Sequence, residues 1–232
     1  MSKYAFTEYI NDLWKSSKLS QGQFAKKLNV GLSTLKDSLR GITSIPNPTY
    51  LKSLSKYTKQ SELKVLQNVF FYNFKDDIKQ NPDTNSLTLY ACYLYKKDWS
   101  IFNATLHEQT KPHYDRSLKG TVYEENEYNI TLKKSHYPKR AMYLQEGIHE
   151  TIDKDFAFYI WRYMENILED NGYHNSKFTS YDCTFVYDNN KKNKDLLTEI
   201  KQTSLVKPKE CNSIKFIILD NKTEKIIEEY TF

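Results

Sequence analysis

Apolar residues recur at helical spacing through the first third of the chain. Residues 4–16 are predicted to form a first helix, whose apolar face consists of Phe6, Ile10, Leu13 and Trp14. Proline suits the first turn of a helix, so another helix is predicted to begin at Pro48. A further helix is predicted after Ser61, with a wide apolar face made of Leu63, Leu66, Val69, Phe70 and Phe74. That face is wider than a small bundle needs, which suggests either a dimer seam or a dock for a second domain.

The segment Leu19–Gly41 lies between these helices and predicts two shorter helices joined by a tight turn. The apolar face of the first is Phe24, Ala25 and Leu28. The inward stripe of the second is Leu35 and Leu39. Their short separation predicts that the two helices pack directly against each other.

The ends of these two helices carry residues suited to helix termini. Ser20 can accept a hydrogen bond from a first-turn N–H, so it is expected to be an N-cap. Asn29 is expected to end the first helix in the left-handed conformation, which Asn tolerates better than most residues. Val30 is expected to fill the corner. Gly31 and Gly41 are expected to open and close the second helix.

The pattern changes after residue 75. Residues 76–86 are polar and lack apolar periodicity, which predicts a linker between a domain at 1–75 and a domain at 87–232. Strands rich in aromatic and β-branched residues are predicted at 87–95, 99–106, 121–123, 128–132 and 141–148. A polar loop is predicted over 107–119, and a hairpin turn at Glu125-Asn126 is predicted to join the third and fourth strands.

The remainder of the second domain mixes helix and strand patterns. A helix is predicted from Asp153 to Gly172, a strand at 181–188 and a short helix at 194–202. The chain is predicted to end in a hairpin that turns at Asn221-Lys222. The expected fold is therefore multidomain, with an N-terminal all-α bundle and a C-terminal α+β domain whose sheet is mainly antiparallel.

Charge is distributed unevenly along the 232 residues. Residues 1–80 carry 13 Lys and Arg against 6 Asp and Glu, a net charge of +7. Residues 81–232 carry 21 against 23, a net charge of −2. A basic module attached to a near-neutral domain is typical of phosphate binding, although a Lys-rich solvated surface explains the charge equally well.

Cysteine usage and hydropathy favour a cytoplasmic protein. Cys92, Cys183 and Cys211 are far apart and odd in number, and each lies in or beside an apolar segment. They are therefore predicted to be reduced, buried thiols. No signal-peptide pattern is present, and no apolar run is long enough to span a membrane. No cofactor is predicted.

The segment Leu19–Gly41 resembles the helix-turn-helix of Cro/C1-type (Xre-like) regulators, and the resemblance covers residues 4–60. It is carried by Gln21, Phe24, Ala25, Leu28, Val30, Ser33, Thr34, Leu35, Arg40 and Gly41. A small residue is needed at Ala25, because the two helices cross closely there. The sequence departs from the family pattern at Asn29, where Gly is usual, at Gly31, where Ser is usual, and at Ser38-Leu39, which replace an apolar–Glu pair. The resemblance implies a λ-repressor-like bundle that binds DNA.

The resemblance also implies which residues contact DNA. Residues at the exposed start of the second helix would face base edges in the major groove: Leu32, Ser33, Lys36 and Asp37. Leu32 could meet a thymine methyl, Lys36 could reach guanine, and Asp37 could accept from cytosine or only orient Lys36. Contacts to the phosphate backbone are expected from Lys18, Gln21, Arg40, Thr43 and Ser44.

Two patterns that suggest catalysis are weak. His107 and His113 flank a loop with Glu108 and Asp115, which would make a poor metal site. Asp182, Glu199 and Lys201 follow the D…ExK order of metal-dependent nucleases. Glu199 and Lys201 fall in a helical pattern, whereas those enzymes carry ExK on a strand. An enzyme is therefore not expected.

The sequence predicts a DNA-binding transcriptional regulator, a repressor of a phage, plasmid or other mobile-element promoter. The expected partner is double-stranded DNA at a palindromic operator, bound by a homodimer, with no membrane partner. The alternative is a bifunctional protein whose C-terminal domain binds and inhibits another protein, of the anti-defence or anti-CRISPR type, while the N-terminal domain autoregulates. A metal-dependent nucleic-acid enzyme is the second alternative.

Overall fold

A computed structural model of the chain describes residues 5–105, 111–115, 120–124, 129–134, 137–146, 180–205, 207, 209 and 211–232. The chain divides into two compact units, residues 1–80 and 81–232. The first unit is helical in its described part, and the second combines helices with a sheet, so the whole is an α+β arrangement.

The helices of the first unit follow one another closely along the chain. They are α1 (Ala5–Ser17), α2 (Gln21–Leu28), α3 (Leu32–Leu39), α4 (Pro48–Thr58) and α5 (Glu62–Phe71), then a 3₁₀ turn (Tyr72–Phe74) and α6 (Lys75–Gln80). Helix α1 packs against α2, α3 and α5, while α2 also contacts both α3 and α4. Large side chains such as Phe6, Ile10 and Phe24 are completely buried among these helices.

The wide apolar face predicted after Ser61 is used within the chain. Leu66, Val69 and Phe70 are buried on α5, each about 2% exposed, and Leu63 and Phe74 are half-buried. Ser61 accepts a hydrogen bond from the N–H of Lys64, so the predicted N-cap is confirmed. The buried part of this face is not available as an exposed dimer seam.

The second unit contains eight strands and two helices among its described residues. The strands are β1 (Trp99–Thr105), β2 (Lys111–Asp115), β3 (Gly120–Glu124), β4 (Asn129–Lys134), β5 (Tyr137–Glu146), β6 (Ser180–Asp188), β7 (Cys211–Asp220) and β8 (Lys225–Thr231). The helices are α7 (Pro82–Tyr95) and α8 (Lys191–Ile200). One sheet has the order β1-β4-β5-β6-β7-β8, and β2 pairs with β3 separately.

The main sheet is mixed, with three antiparallel strand pairs and two parallel ones. Strand β6 runs parallel to both β5 and β7, while the β1–β4, β4–β5 and β7–β8 pairs are antiparallel. Parallel neighbours need a crossover connection, and α8 supplies the one between β6 and β7. Residues 181–187 of β6 are all buried, as expected for a central parallel strand covered on both faces.

The boundary between the two units, after Gln80, falls inside the predicted linker at 76–86, whereas the first strand predicted for this region is wrong. Residues 76–86 lie in α6 and in the start of α7, and residues 87–95 continue α7 instead of forming a strand. The run Leu87–Leu94 is buried nearly all round, so it lacks the polar stripe that marks a helix in sequence.

The predicted connections between the next strands are also wrong. The polar loop at 107–119 contains β2. Residues 121–123 and 128–132 do not form a hairpin with each other, because β3 pairs with β2 whereas β4 pairs with β1 and β5. These pairings join segments that are distant in sequence, which a local hydrophobic pattern does not encode.

Other predictions for this unit are confirmed. Strands near 99–106, 141–148 and 181–188 are present, as are the helix near 194–202 and the final hairpin at Asn221-Lys222. Cys92, Cys183 and Cys211 are buried, and no disulfide joins them among the described residues. The predicted helix Asp153–Gly172 and the turn at Glu125-Asn126 lie outside the described residues. Within the described part of the chain, no helix is long and apolar enough to cross a membrane.

Candidate nucleic-acid interface

Helix α2 is fixed by hydrogen bonds at both of its ends. Ser20 accepts from the N–H of Gln23 and the Gln23 side chain accepts from the N–H of Ser20, which forms a capping box. Asn29 is left-handed, with φ 55° and ψ 46°, as predicted. The N–H of Asn29 donates to Lys26 O at 3.1 Å, and the N–H of Val30 donates to Ala25 O at 3.0 Å. This pair of bonds is a Schellman motif, so α2 stops at a defined residue.

Helix α3 begins and ends at the two predicted glycines. Gly31 is its N-cap and has extended backbone. Gly41 follows the helix with φ 76°. Its N–H donates to Ser38 O at 3.2 Å, and the N–H of Ile42 donates to Asp37 O at 2.9 Å, which makes a second Schellman motif. Both ends of α3 are therefore set by backbone geometry.

Helix α1 packs against both α2 and α3. The indole Nε1 of Trp14 donates to Leu19 O at 2.9 Å, which ties the end of α1 to the loop before α2. The amide Nδ2 of Asn11 lies 3.5 Å from Leu39 O at the end of α3. These contacts hold one side of α3 against the bundle and leave the opposite side open.

The buried side of α3 is formed by Leu35 and Ser38, which are both inaccessible to solvent. Leu39, expected on the inward stripe, is only half-buried, because the packing face is centred between Leu35 and Ser38. The Ser38 hydroxyl donates to Thr34 O at 2.9 Å, so this buried polar group has a partner. Burial raises the pKa of the neighbouring Tyr50 to about 12.

The open side of α3 carries most of the residues predicted to read bases. Leu32, Ser33 and Lys36 are exposed, Leu32 to 42%, whereas Asp37 is half-buried. Arg40 is also exposed and follows Lys36 by one helical turn, so it shares their face. The structure thus brings together Leu32, Ser33, Lys36 and Arg40, with Asp37 at the margin.

The remaining predicted phosphate contacts lie in the segments that flank α2 and α3. Lys18 is exposed and left-handed, with φ 56°, directly after α1. Gln21 is the first residue of α2 and is half-buried. Thr43 is half-buried and its N–H lies 3.3 Å from Asp37 O, while Ser44 is exposed in the same loop. No described contact prevents these side chains from meeting a ligand.

Positive charge dominates the part of the chain around α2, α3 and α4. Between Asp12 and Glu62 the sequence holds nine lysines and arginines but a single acidic residue, Asp37. None of the nine forms a salt bridge with another described residue. Unpaired exposed cations lose little on meeting a phosphate, because no existing ion pair has to be broken.

Asp12 on α1 is engaged by another part of the unit. Tyr72 donates a hydrogen bond to Asp12 Oδ2 at 2.7 Å, and Lys75 Nζ lies 3.9 Å from the same oxygen. Burial and the Asp12 carboxylate raise the pKa of Tyr72, so this phenol stays neutral at physiological pH. These groups line a cleft that also includes Glu8 and Lys15.

The arrangement expected of a strand-borne nuclease site is not present. Asp182 is buried on β6 and accepts a hydrogen bond from Ser213 Oγ at 2.8 Å. Glu199 lies on α8, and Lys201, directly after that helix, pairs with Glu228. No group of three or more His, Cys, Asp or Glu suited to a metal occurs among the described residues. His113 and Asp115 lie on β2, whereas His107 and Glu108 are outside the described residues.

Comparison of the chain with protein-family models, with curated proteins and with solved structures finds no match.

The sequence-based site left out a second group of exposed cations. Lys52, Lys56 and Lys59 lie on or directly after α4, and Lys26 and Lys27 lie at the end of α2. Lys56 follows Lys52 by four residues, and Lys59 follows Lys56 by three. This helical spacing is visible in the sequence.

Proposed function

We propose that this chain is a sequence-specific DNA-binding protein that acts as a transcriptional regulator, with α3 as its recognition helix. The observation that carries the proposal is the division of α3 into two sides. Leu35 and Ser38 anchor one side in the bundle. The other side presents Ser33, Lys36 and Arg40 to solvent.

The size and chemistry of α3 suit the major groove of B-DNA. Its eight residues give a helix about 12 Å long and about 10 Å wide, which a groove about 12 Å wide accommodates. Lys36 can donate to guanine O6 or N7, Ser33 can donate or accept at either base edge, and Leu32 can contact a thymine methyl. The unpaired cations around α3 add sequence-independent attraction to the backbone.

The resemblance of residues 4–60 to Xre-like regulators supports a λ-repressor-like mode of docking. It also supports repression of a promoter on a phage, plasmid or other mobile element. Regulators of this family pair two DNA-binding units on a palindrome, so the proposal includes a homodimer bound to two half-sites.

Selection of binding sites from a library of random duplexes tests this function. The full-length protein at low salt should enrich one motif. The double variant Ser33→Ala/Lys36→Ala should lose that enrichment while it still binds duplex DNA weakly. The exposed pair Thr198→Ala/Lys194→Ala on α8 serves as a matched control and should select the original motif. Failure of the wild-type protein to enrich any motif would refute the proposal.

A reporter experiment tests the direction of regulation. The selected motif, placed across a promoter, should lower transcription when the wild-type protein is expressed. The Ser33→Ala/Lys36→Ala variant should leave transcription unchanged. Increased transcription with the wild-type protein would indicate an activator.

A further inference from the structure

Helix α4 carries a row of lysines on its solvent side. Lys52 and Lys56 are four residues apart on α4, so they fall on one face, and Lys59 follows directly after the helix; all three are exposed. The opposite face is anchored by Tyr50, Leu51 and Leu54, which are buried. The row extends about 10 Å along the helix axis, at 1.5 Å per residue.

Helix α2 adds a fourth cation to this row. Lys27 is exposed, and its Nζ lies 5.6 Å from the centre of the Tyr57 ring, so the ammonium is held against α4 by a cation–π contact. We define Lys27, Lys52, Lys56 and Lys59 as the α4 basic stripe. None of the four forms a salt bridge with a described residue.

The last lysine of the stripe occupies an unusual backbone position. Lys59 ends α4 in the left-handed conformation, with φ 56°, and the N–H of the next residue, Gln60, donates to Ser55 O at 3.2 Å. Glycine is the usual residue here, since it adopts this conformation without steric cost. A lysine instead places a cation beside the helix C-terminus and lengthens the stripe by one position.

The stripe is distinct from the outer face of α3. Helix α2 packs against both α3 and α4. The stripe lies on α4 and the adjoining end of α2, whereas Ser33, Lys36 and Arg40 lie on α3. A single recognition helix inserted in the major groove therefore does not account for these four lysines.

We propose that the α4 basic stripe binds the phosphate backbone of duplex DNA, as a second contact surface that sets affinity without reading sequence. The proposal rests on the proposed function, because it takes DNA as the ligand of this unit. Duplex DNA presents one negative charge for about every 1.7 Å of its axis, so a row about 10 Å long meets several phosphates.

The surroundings of the stripe favour DNA over a lipid surface. Helices that lie on membranes combine cations with large apolar side chains that enter the bilayer. Among the described residues, the exposed large apolar side chains are Leu32, Ile42, Ile45 and Ile227, and none of them is on α4. The stripe thus offers charge without an apolar surface for insertion.

The test uses full-length protein and a triple variant, Lys52→Gln/Lys56→Gln/Lys59→Gln, which removes three charges from the stripe. Glutamine has a helix propensity similar to that of lysine, so α4 should be retained, as circular dichroism will check. The matched control is Lys191→Gln/Lys192→Gln/Lys194→Gln, which removes three exposed charges from α8. Binding of a random 30-base-pair duplex is measured by fluorescence anisotropy from 50 to 200 mM salt.

The triple variant should bind the random duplex roughly tenfold more weakly at low salt. The slope of log affinity against log salt should fall by about 2–3, because each phosphate contact contributes about 0.9. The control should match the wild type, and the arginine variant Lys52→Arg/Lys56→Arg/Lys59→Arg should restore binding. Equal losses in both glutamine variants, or no loss in either, would overturn the proposal. So would binding to anionic vesicles that depends on the stripe while duplex binding does not.

The two proposals fail in different ways. If the wild-type protein selects a motif while the stripe variant and the control bind equally, the stripe proposal is wrong and the regulator proposal stands. If the wild-type protein selects no motif but the stripe variant alone loses binding to random duplex, sequence-specific recognition is wrong and the stripe proposal stands.

Discussion

The backbone N–H of Val30 donates a 3.0 Å hydrogen bond to the carbonyl oxygen of Ala25. The bond forms only because the intervening Asn29 is left-handed, with φ 55°. An ordinary L-residue pays roughly 1–2 kcal/mol for that conformation, whereas glycine avoids most of the cost. The direction that α3 takes from α2 therefore depends on which residue occupies position 29.

Replacement of Asn29 by alanine and by glycine should affect the stability of the α2–α3 pair differently. Asn29→Ala should lower the free energy of local opening by about 1 kcal/mol, and Asn29→Gly should leave it unchanged or raise it slightly. Amide hydrogen exchange over residues 21–40 measures this quantity directly. Equal protection in the two variants would show that the left-handed turn does not limit opening of this pair.

Base-reading and phosphate-binding residues should respond differently to substitution. Ser33→Ala or Lys36→Ala should reduce the preference for the selected motif over random DNA by about 1–3 kcal/mol. Gln21→Ala should weaken binding to all sequences alike. Anisotropy titrations with the selected motif and with a scrambled duplex separate the two effects.

Arg40 provides a sharper form of this comparison. It was predicted to bind phosphate, and Arg40→Ala should therefore reduce the salt slope by about 1 without changing specificity. It nevertheless shares the exposed side of α3 with Lys36. Loss of specificity in Arg40→Ala would assign it to base recognition and would shift the docked position of α3 by about one turn.

Helix starts illustrate how much of this fold could be predicted from the sequence. A helix is predicted to begin at Pro48, and α4 begins there, with Asn47 Oδ1 accepting from the N–H of Tyr50 at 2.8 Å. The same dipeptide recurs at Asn81-Pro82, where Asn81 Oδ1 accepts from the N–H of Asp83 at 2.9 Å and α7 begins. This second dipeptide lies inside the predicted linker, and the aromatic run after it was interpreted as a strand, because buried helices and buried strands are both continuously apolar.

Strand partners and the packing face of α3 could not be predicted for a different reason. The pairing of β4 with β1 and β5 is set by the whole sheet, whereas the sequence between β3 and β4 contains only a plausible local turn. On α3, Ser38 is completely buried and Leu39 is not, because the position of α1 decides which side faces inward. The exposed set of Leu32, Ser33 and Lys36 was predicted from the family resemblance, which places those residues at the open start of the second helix.

Removal of the Asp83 carboxylate should destabilise the second unit. Asp83 Oδ1 accepts from the N–H of Asp188 at 2.6 Å and from Asn193 Nδ2 at 3.2 Å, and both Asp83 and Asn193 are buried. Asp83→Ala leaves these donors without this acceptor, which should cost about 2 kcal/mol, whereas Asp83→Asn keeps an acceptor oxygen and should cost less.

Amide hydrogen exchange over residues 180–200 measures the effect of Asp83→Ala, because this region contains both donors to Asp83, Asp188 and Asn193. Asp195→Ala is a suitable control, because Asp195 is an exposed acidic residue on α8. Similar protection in Asp83→Ala and in this control would show that the buried carboxylate does not stabilise the unit.

Acid should reveal the contribution of Asp220 to stability. Hydrogen bonds from the N–H of Thr223 and from Asn189 Nδ2, with further bonds from Thr223 and Lys222, lower the pKa of Asp220 from 3.8 to about 2. The folded state therefore binds this proton less readily than the unfolded state. The stabilisation is complete above the unfolded pKa and is lost as the pH falls from 3.8 toward about 2.

The comparison of wild type with Asp220→Asn isolates this group, because asparagine keeps an acceptor oxygen in the turn. The wild type should be the more stable protein at pH 5, and its advantage should shrink as the pH falls toward 2. Urea unfolding at half-unit pH steps gives the difference directly. A difference that stays constant over this range would mean that the turn does not favour the ionised carboxylate.

Assembly is the remaining prediction, and it follows from how little DNA one α3 helix can read. A single recognition helix contacts only a few base pairs, which is too few to specify one site in a genome. Two units on half-sites about 10 base pairs apart would supply the missing specificity. The buried Leu66, Val69 and Phe70 on α5 cannot form an exposed seam, so we expect the second unit to provide the dimer contact.

Light scattering should show a dimer for the full chain and a monomer for residues 1–80. A dimeric fragment would place the seam in the first unit, and a full chain that stays monomeric with and without DNA would favour a C-terminal unit that binds another protein.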